Sequence, residues 1–80
     1  MTLDEFRIDV QKALKDERRV TDVAFEPFSD GLELVYFWDQ DVRASFSMMP
    51  AKITDKQQLR LAVKASAQSA YDAAVKQVEA

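Results

Sequence analysis

The chain opens with apolar residues at helical spacing. Thr2 and Glu5 form a capping box, in which the two side chains bond to backbone N–H groups that the first helical turn leaves unpaired. We therefore predict a first helix from Leu3 to about Arg18, with Ile8 off its apolar face and exposed. The predicted inward face of this helix consists of Leu3, Phe6, Val10, Ala13 and Leu14.

After the first helix the apolar spacing changes from helical to alternating, which is typical of strands. We predict strands from Val20 to Pro27, from Leu32 to Trp38 and from Val42 to Met48. The loop Phe28 to Gly31 joins the first two strands, and Asp39 to Asp41 joins the last two. Short loops between consecutive strands predict an antiparallel meander.

The loop lengths fix which side chains share a sheet face. Gly31 is the only glycine and is expected at positive φ at the end of the first loop. The predicted register places one apolar set on the core face: Val23, Phe25, Leu32, Leu34, Tyr36, Trp38, Val42, Ala44, Phe46 and Met48. The opposite face is then Asp22, Ala24, Glu26, Glu33, Val35, Phe37, Arg43, Ser45 and Ser47.

A second capping box, Thr54 with Gln57, predicts a long helix that runs to Ala80. Its predicted inward stripe is Leu59, Val63, Ala67, Ala70, Ala74 and Val78. A helix of this length exceeds the strands, so its last turns should project beyond the sheet. The prediction for residues 1–80 is one small α+β domain of order α-β-β-β-α, with a three-stranded antiparallel meander and two helices packed on one face.

Composition removes most kinds of chemistry. The 80 residues contain no cysteine and no histidine, so there is no thiolate and no imidazole for metal binding or general base catalysis. A single glycine excludes the glycine-rich phosphate-binding loops. We therefore expect no catalytic residues, no metal site and no cofactor, and a protein that is not an enzyme. The acidic amino terminus lacks a signal peptide, and no apolar run spans a membrane, so we expect a cytoplasmic protein without membrane partners.

Charge is concentrated in the middle of the chain. Residues 22–41 contain six acidic residues and no cation: Asp22, Glu26, Asp30, Glu33, Asp39 and Asp41. Acidic residues that flank an apolar strand guard against aggregation, which explains much of this run. The same run is also compatible with an acidic patch for a basic partner. It leaves open a small acidic inhibitor or accessory protein, of the phage or mobile-element kind, that binds a larger host protein.

The predicted second helix carries Lys56, Arg60 and Lys64 at every fourth residue. The α-β-β-β-α order resembles that of the double-stranded RNA-binding domain, whose second helix directs lysines toward phosphates. That family has a Lys-Lys-x-Ala-Lys cluster after a glycine-containing loop, whereas Pro50 to Lys56 here has an acid and no glycine. With a pI near 4.8, these departures argue against duplex binding. Weak nucleic-acid binding through the three cations is only a third hypothesis.

The leading hypothesis is a protein–protein interaction domain that forms a homodimer. Two surfaces compete for this contact. One is the open sheet face, with Val35, Phe37 and Arg43, where exposed apolar residues cluster. The other is the projecting part of the second helix, with Tyr71, Val75 and Val78. Scattered surface apolar residues shielded by an arginine stem are the alternative explanation of the first surface.

Overall fold

The computed structural model describes residues 1–79 and has the predicted order of elements. The element bounds are α1 Leu3–Glu17, β1 Val20–Pro27, β2 Glu33–Asp39, β3 Val42–Met48, a short 3₁₀ turn at Pro50–Lys52, and α2 Lys56–Glu79. The three strands form an antiparallel sheet in the order β1-β2-β3. The predicted α+β meander is confirmed.

Side-chain caps start both helices, and one of them differs from the prediction. The Thr2 hydroxyl accepts a hydrogen bond from the Glu5 backbone N–H at 3.2 Å, as the capping box predicts. At α2 the cap is not Thr54, because the carboxylate of Asp55 accepts the bond from the Gln58 backbone N–H at 2.8 Å. The second capping sequence therefore lies one residue later than predicted.

Both hairpin loops differ in length from the prediction, in opposite directions. The second loop contains only Gln40 and Asp41, which have φ of 53° and 68°, as a two-residue type I′ turn requires. The first loop spans residues 28–32 and closes with a 3.0 Å bond from the Phe28 N–H to the Leu32 carbonyl. Gly31 has φ of 82°, so its predicted conformation is confirmed. The two differences cancel for β1 and β3 but shift β2 by one residue.

The predicted orientation of β2 is therefore wrong. Val35 pairs with Phe25 and Phe46, and both Val35 and Phe37 are fully buried against the helices. The alternate residues Leu34, Tyr36 and Trp38, predicted to be core, lie on the opposite face and are partly buried. Five of the predicted core positions on the neighbouring strands are confirmed, because Val23, Phe25, Ala44, Phe46 and Met48 belong to the core or pack against it. Val42, the sixth, is only partly buried at the start of β3.

Both helices pack on the same sheet face, α1 nearest β1 and α2 nearest β3. Phe6 of α1 meets Phe25 edge to face, with ring centroids 6.4 Å apart. The fully buried helical side chains are Phe6, Val10, Ala13, Leu14, Leu59, Val63 and Ala67. The smallest dimension of the molecule is 18 Å, which fits one helix layer on one sheet layer. Within the part of the chain that the structure describes, no helix covers the other sheet face.

Three predictions about the helix surfaces have different outcomes. Ile8 is 54% exposed, so its predicted exposure is confirmed. Leu3 was expected on the inward face of α1 and is 43% exposed, because the first helical turn extends past the edge of the core. On α2, Val78 was expected on the inward stripe, but it lies near the carboxyl end of the helix and is 77% exposed.

Candidate functional site: the open sheet face

The uncovered sheet face carries an apolar stripe along its central strand. Leu34, Tyr36 and Trp38 alternate with the buried positions of β2 and point away from both helices. We call these three residues the β2 stripe. Two of them are aromatic, and Trp38 is the only tryptophan in the chain. A central strand that is apolar on both faces is typical of a strand covered on both sides.

Polar and charged side chains border the β2 stripe on each neighbouring strand. Residues paired directly across an antiparallel sheet share a face, so the register assigns these borders. On β1 the border consists of Asp22, Ala24 and Glu26; on β3 it consists of Arg43, Ser45 and Ser47. The β1 border is thus acidic and the β3 border is basic at one position.

Arg43 is the predicted site residue that the structure does place on this face. Its guanidinium carbon lies 5.2 Å from the centre of the Tyr36 ring, within the range of a cation–π contact. Arg43 was expected to share this face with Phe37, which lies on the other side of the sheet. It therefore covers part of the β2 stripe, as the shielding explanation predicts for an arginine stem.

Val35 and Phe37 cannot contribute to a contact on this face, because both have no exposed surface. The Phe37 ring packs against Phe46, with centroids 5.9 Å apart. Sequence reasoning missed the β2 stripe because it assumed a three-residue second loop. Reading Gln40-Asp41 as a two-residue turn would have placed Leu34, Tyr36 and Trp38 on the open face instead.

The three predicted contact residues of α2 differ in how far they are exposed. Tyr71 is partly buried beneath Arg18, whose guanidinium carbon lies 4.9 Å from the ring centre. Val75 is partly buried, and Val78 is exposed in the last turns of the helix. Tyr71 therefore serves the fold, and Val78 is the apolar residue that α2 presents to solvent near its end.

Lys56, Arg60 and Lys64 of α2 are exposed, as a solvated helix face requires. Arg60 lies 3.8 Å from the Asp16 carboxylate, and both side chains are more than half exposed. Such a pair contributes little to stability. Neither Lys56 nor Lys64 has a salt-bridge partner within the described residues.

Two of the six acidic residues in the middle of the chain are buried rather than displayed. Glu33 lies 2.6 Å from Arg7 of α1, and Asp39 lies 2.7 Å from Arg18, the C-cap residue of α1, so each end of β2 is tied to this helix or its cap. Asp39 is 2% exposed, and its Oδ1 atom has no hydrogen-bond partner. The predicted placement of Glu33 on the open sheet face is wrong, because the shifted register turns it inward, and Asp39, which was predicted in the loop, is the last residue of β2.

A groove of about 390 Å³ lies between α1 and α2. Its floor is apolar, with Ala13, Leu14, Val63 and Ala67, and its rim is Glu17, Arg18, Lys64 and Gln68. Arg18 is already committed to Asp39 and Gln68. The described residues contain no group of three or more acidic side chains that could hold a metal ion.

No protein-family model, curated protein or solved structure matches this chain. Within residues 1–79, neither helix combines the length and the apolar character needed to cross a membrane. Among the surfaces of the described residues, the β2 stripe with its borders is the most distinctive.

Proposed function

We propose that this chain is a non-enzymatic interaction domain that associates with a second copy of itself through the open sheet face. The observation that carries the proposal is the β2 stripe, three large apolar side chains in line on a face that no helix covers. Contiguous apolar surface with a polar rim is typical of contact sites. Tryptophan, tyrosine and arginine are also the residues that most often dominate binding energy.

The size of the face sets the expected strength of the contact. Three strands at ~4.8 Å spacing and seven residues at ~3.4 Å rise give a face of roughly 340 Å². Standard protein–protein interfaces bury about 800 Å² on each partner. We therefore expect a weak dimer, with a dissociation constant in the micromolar range or above, that forms and separates with concentration.

Sedimentation analysis across a wide concentration range tests the proposal. The average mass should rise from that of one chain toward that of two chains as the protein is concentrated. Trp38 reports on the surface used, because its fluorescence responds to removal of water. If the open face is the contact, the emission maximum should move to shorter wavelength over the concentration range in which the mass rises.

Variants of the β2 stripe should weaken association and leave the fold intact. Tyr36→Ser and Leu34→Ser each remove apolar surface at the expected contact, and we expect at least about a tenfold rise in the dissociation constant. Circular dichroism checks the fold of each variant. Ile8→Ser is the matched control, because Ile8 is a 54% exposed apolar residue on α1 and should not affect association.

The second helix remains the competing surface, because Val78 is 77% exposed and Leu61 is 63% exposed. If α2 forms the contact, Val78→Ser should abolish the dimer, Tyr36→Ser should not, and Trp38 emission should stay constant with concentration. That result, or a chain that stays monomeric at millimolar concentration, would contradict the proposal.

A further inference from the structure

Two oppositely charged residues of the open face lie in one row across the sheet. Asp22 on β1 pairs with Trp38, and Trp38 pairs with Arg43 on β3. This first row therefore contains an acid, a tryptophan and a base, with the two charged residues on opposite sides of the central strand. The second row contains Ala24, Tyr36 and Ser45. The third row contains Glu26, Leu34 and Ser47, and it has no cation.

Two identical sheets can pack face to face around a two-fold axis in either of two simple ways. If the axis runs along β2, the β1 border of one copy lies over the β3 border of the other, and each row faces itself. If the axis runs across the strands, β1 lies over β1 and the first row faces the third. Aligned packing of sheets, within about 30°, is a common geometry in two-sheet proteins.

The charges distinguish the two arrangements. With the axis along β2, Asp22 of each copy faces Arg43 of the other, Glu26 faces Ser47, and no like charges meet. With the axis across the strands, Asp22 faces Glu26 and Arg43 faces Ser47. Like charges placed opposite each other are unfavourable, and the two-fold axis makes the repulsive Asp22–Glu26 contact occur twice in this second arrangement.

We infer that the occupant of the open face is a second copy of this chain, related by a two-fold axis parallel to β2. This inference rests on the proposed function and specifies its geometry. Trp38 packs against Trp38 of the second copy at the centre of the first row, and two Asp22–Arg43 pairs flank it. Stacked sheets lie about 10 Å apart, a distance that an arginine and an aspartate can span together.

A charge-swap experiment tests this geometry. Asp22→Arg alone places two arginines opposite each other twice, and Arg43→Asp alone places two aspartates opposite each other twice. We expect each single variant to associate at least about tenfold more weakly than the original chain, because two pairs are lost and two repulsions are gained. The Asp22→Arg/Arg43→Asp double variant should recover association, because the pairs are restored with exchanged signs.

Mixing the two single variants provides the decisive measurement. Every facing pair in the mixed dimer is attractive, so the average mass in sedimentation should rise on mixing, although each variant alone stays largely monomeric. Glu26→Gln serves as the control, since Glu26 faces only Ser47 and its change should leave association within about twofold.

The outcomes separate failure of the geometry from failure of the proposed function. If Tyr36→Ser weakens the dimer but Asp22→Arg strengthens it, the axis runs across the strands and the inference is overturned while the proposed function stands. If charge swapping has no effect and the β2 stripe variants still matter, the inference also fails. If no concentration of the original chain gives a dimer, both fail together.

Discussion

Two residues in the second hairpin loop decide which side chains the sheet presents to solvent. Gln40 and Asp41 both have positive φ, a backbone conformation that residues other than glycine, asparagine and aspartate rarely adopt. The type I′ turn that results has the twist of the flanking strands. It leaves only two residues in the loop, so Asp39 joins β2 and faces inward.

This turn predicts a stabilising substitution. Asn-Gly is the preferred pair for a type I′ turn, so Gln40→Asn/Asp41→Gly should raise the free energy of unfolding by about 1 kcal/mol. Urea denaturation followed by circular dichroism measures the change. Gln40→Val is the opposing control and should lower stability, because a β-branched residue at positive φ is strained. A loss of stability in the Asn-Gly variant would show that the loop does not need two residues at positive φ.

At the level of elements, two ion pairs tie α1 to the two ends of β2. Arg7 pairs with Glu33 at the start of the strand, and Arg18 pairs with Asp39 at its end. The Arg18 side chain is 17% exposed, compared with 34% for Arg7. A buried charge that loses its partner is costly, whereas a partly exposed pair is screened by water.

Arg18→Met should therefore be strongly destabilising. It leaves the carboxylate of Asp39 buried without its partner, and we expect a loss of about 3 kcal/mol in the free energy of unfolding. Arg7→Met should cost less than half of this. The Arg18→Met/Asp39→Leu double variant should recover much of the loss, because no unpaired charge remains. Chemical denaturation of the set checks the order, and equal losses for the two arginine variants would contradict it.

The sequence predicted the elements well and one orientation wrongly. Helical spacing identified Phe6, Val10 and Leu14, and alternation identified Val23 and Phe25, because burial on one face leaves a clear period. On β2 both faces are apolar, so alternation carries no information about direction. The ion pairs at the two ends of β2 join Arg7 to Glu33 and Arg18 to Asp39, across 26 and 21 residues of sequence. Short-range patterns do not contain such pairings.

The open-face site was only partly predictable for the same reason. An uncovered face followed directly from the order α-β-β-β-α, and Arg43 was assigned to it correctly. The apolar residues assigned to it were the neighbours of the true ones, since a shift of one residue exchanges the two faces of a strand. Tyr36 and Trp38 were therefore placed in the core.

At the scale of the whole molecule, the fold has two layers and one side that lacks a cover. The chain is 37 Å in its longest dimension, about the length of the 24-residue α2. Of the six acidic residues in the middle of the chain, Glu33 and Asp39 turn inward to the arginines of α1. The acidic character of this segment is therefore partly internal, which weakens the case for a contiguous negative patch.

The predicted and observed alignments of β2 differ by one residue, because the first loop is one residue longer than predicted and the second is one residue shorter. Both alignments bury one apolar side of the strand. β2 can slide by one residue between fixed neighbours if the first loop shortens and the second lengthens, and the slide exchanges one apolar face for the other. Removing both carboxylates, in Glu33→Gln/Asp39→Asn, should weaken the preference for the native alignment. We expect a second set of amide resonances for β2 in nuclear magnetic resonance spectra. Asp22→Asn/Glu26→Gln, which removes two exposed charges from β1, should give a single set.

A single set of resonances in the first variant would show that backbone turn geometry alone holds the strand in place. Two sets would mean that the salt bridges stabilise one of two alternative packings of the same chain over the other. Arg7 and Arg18 would then determine, during folding, which apolar side of β2 is buried in the interior and which remains accessible to other molecules.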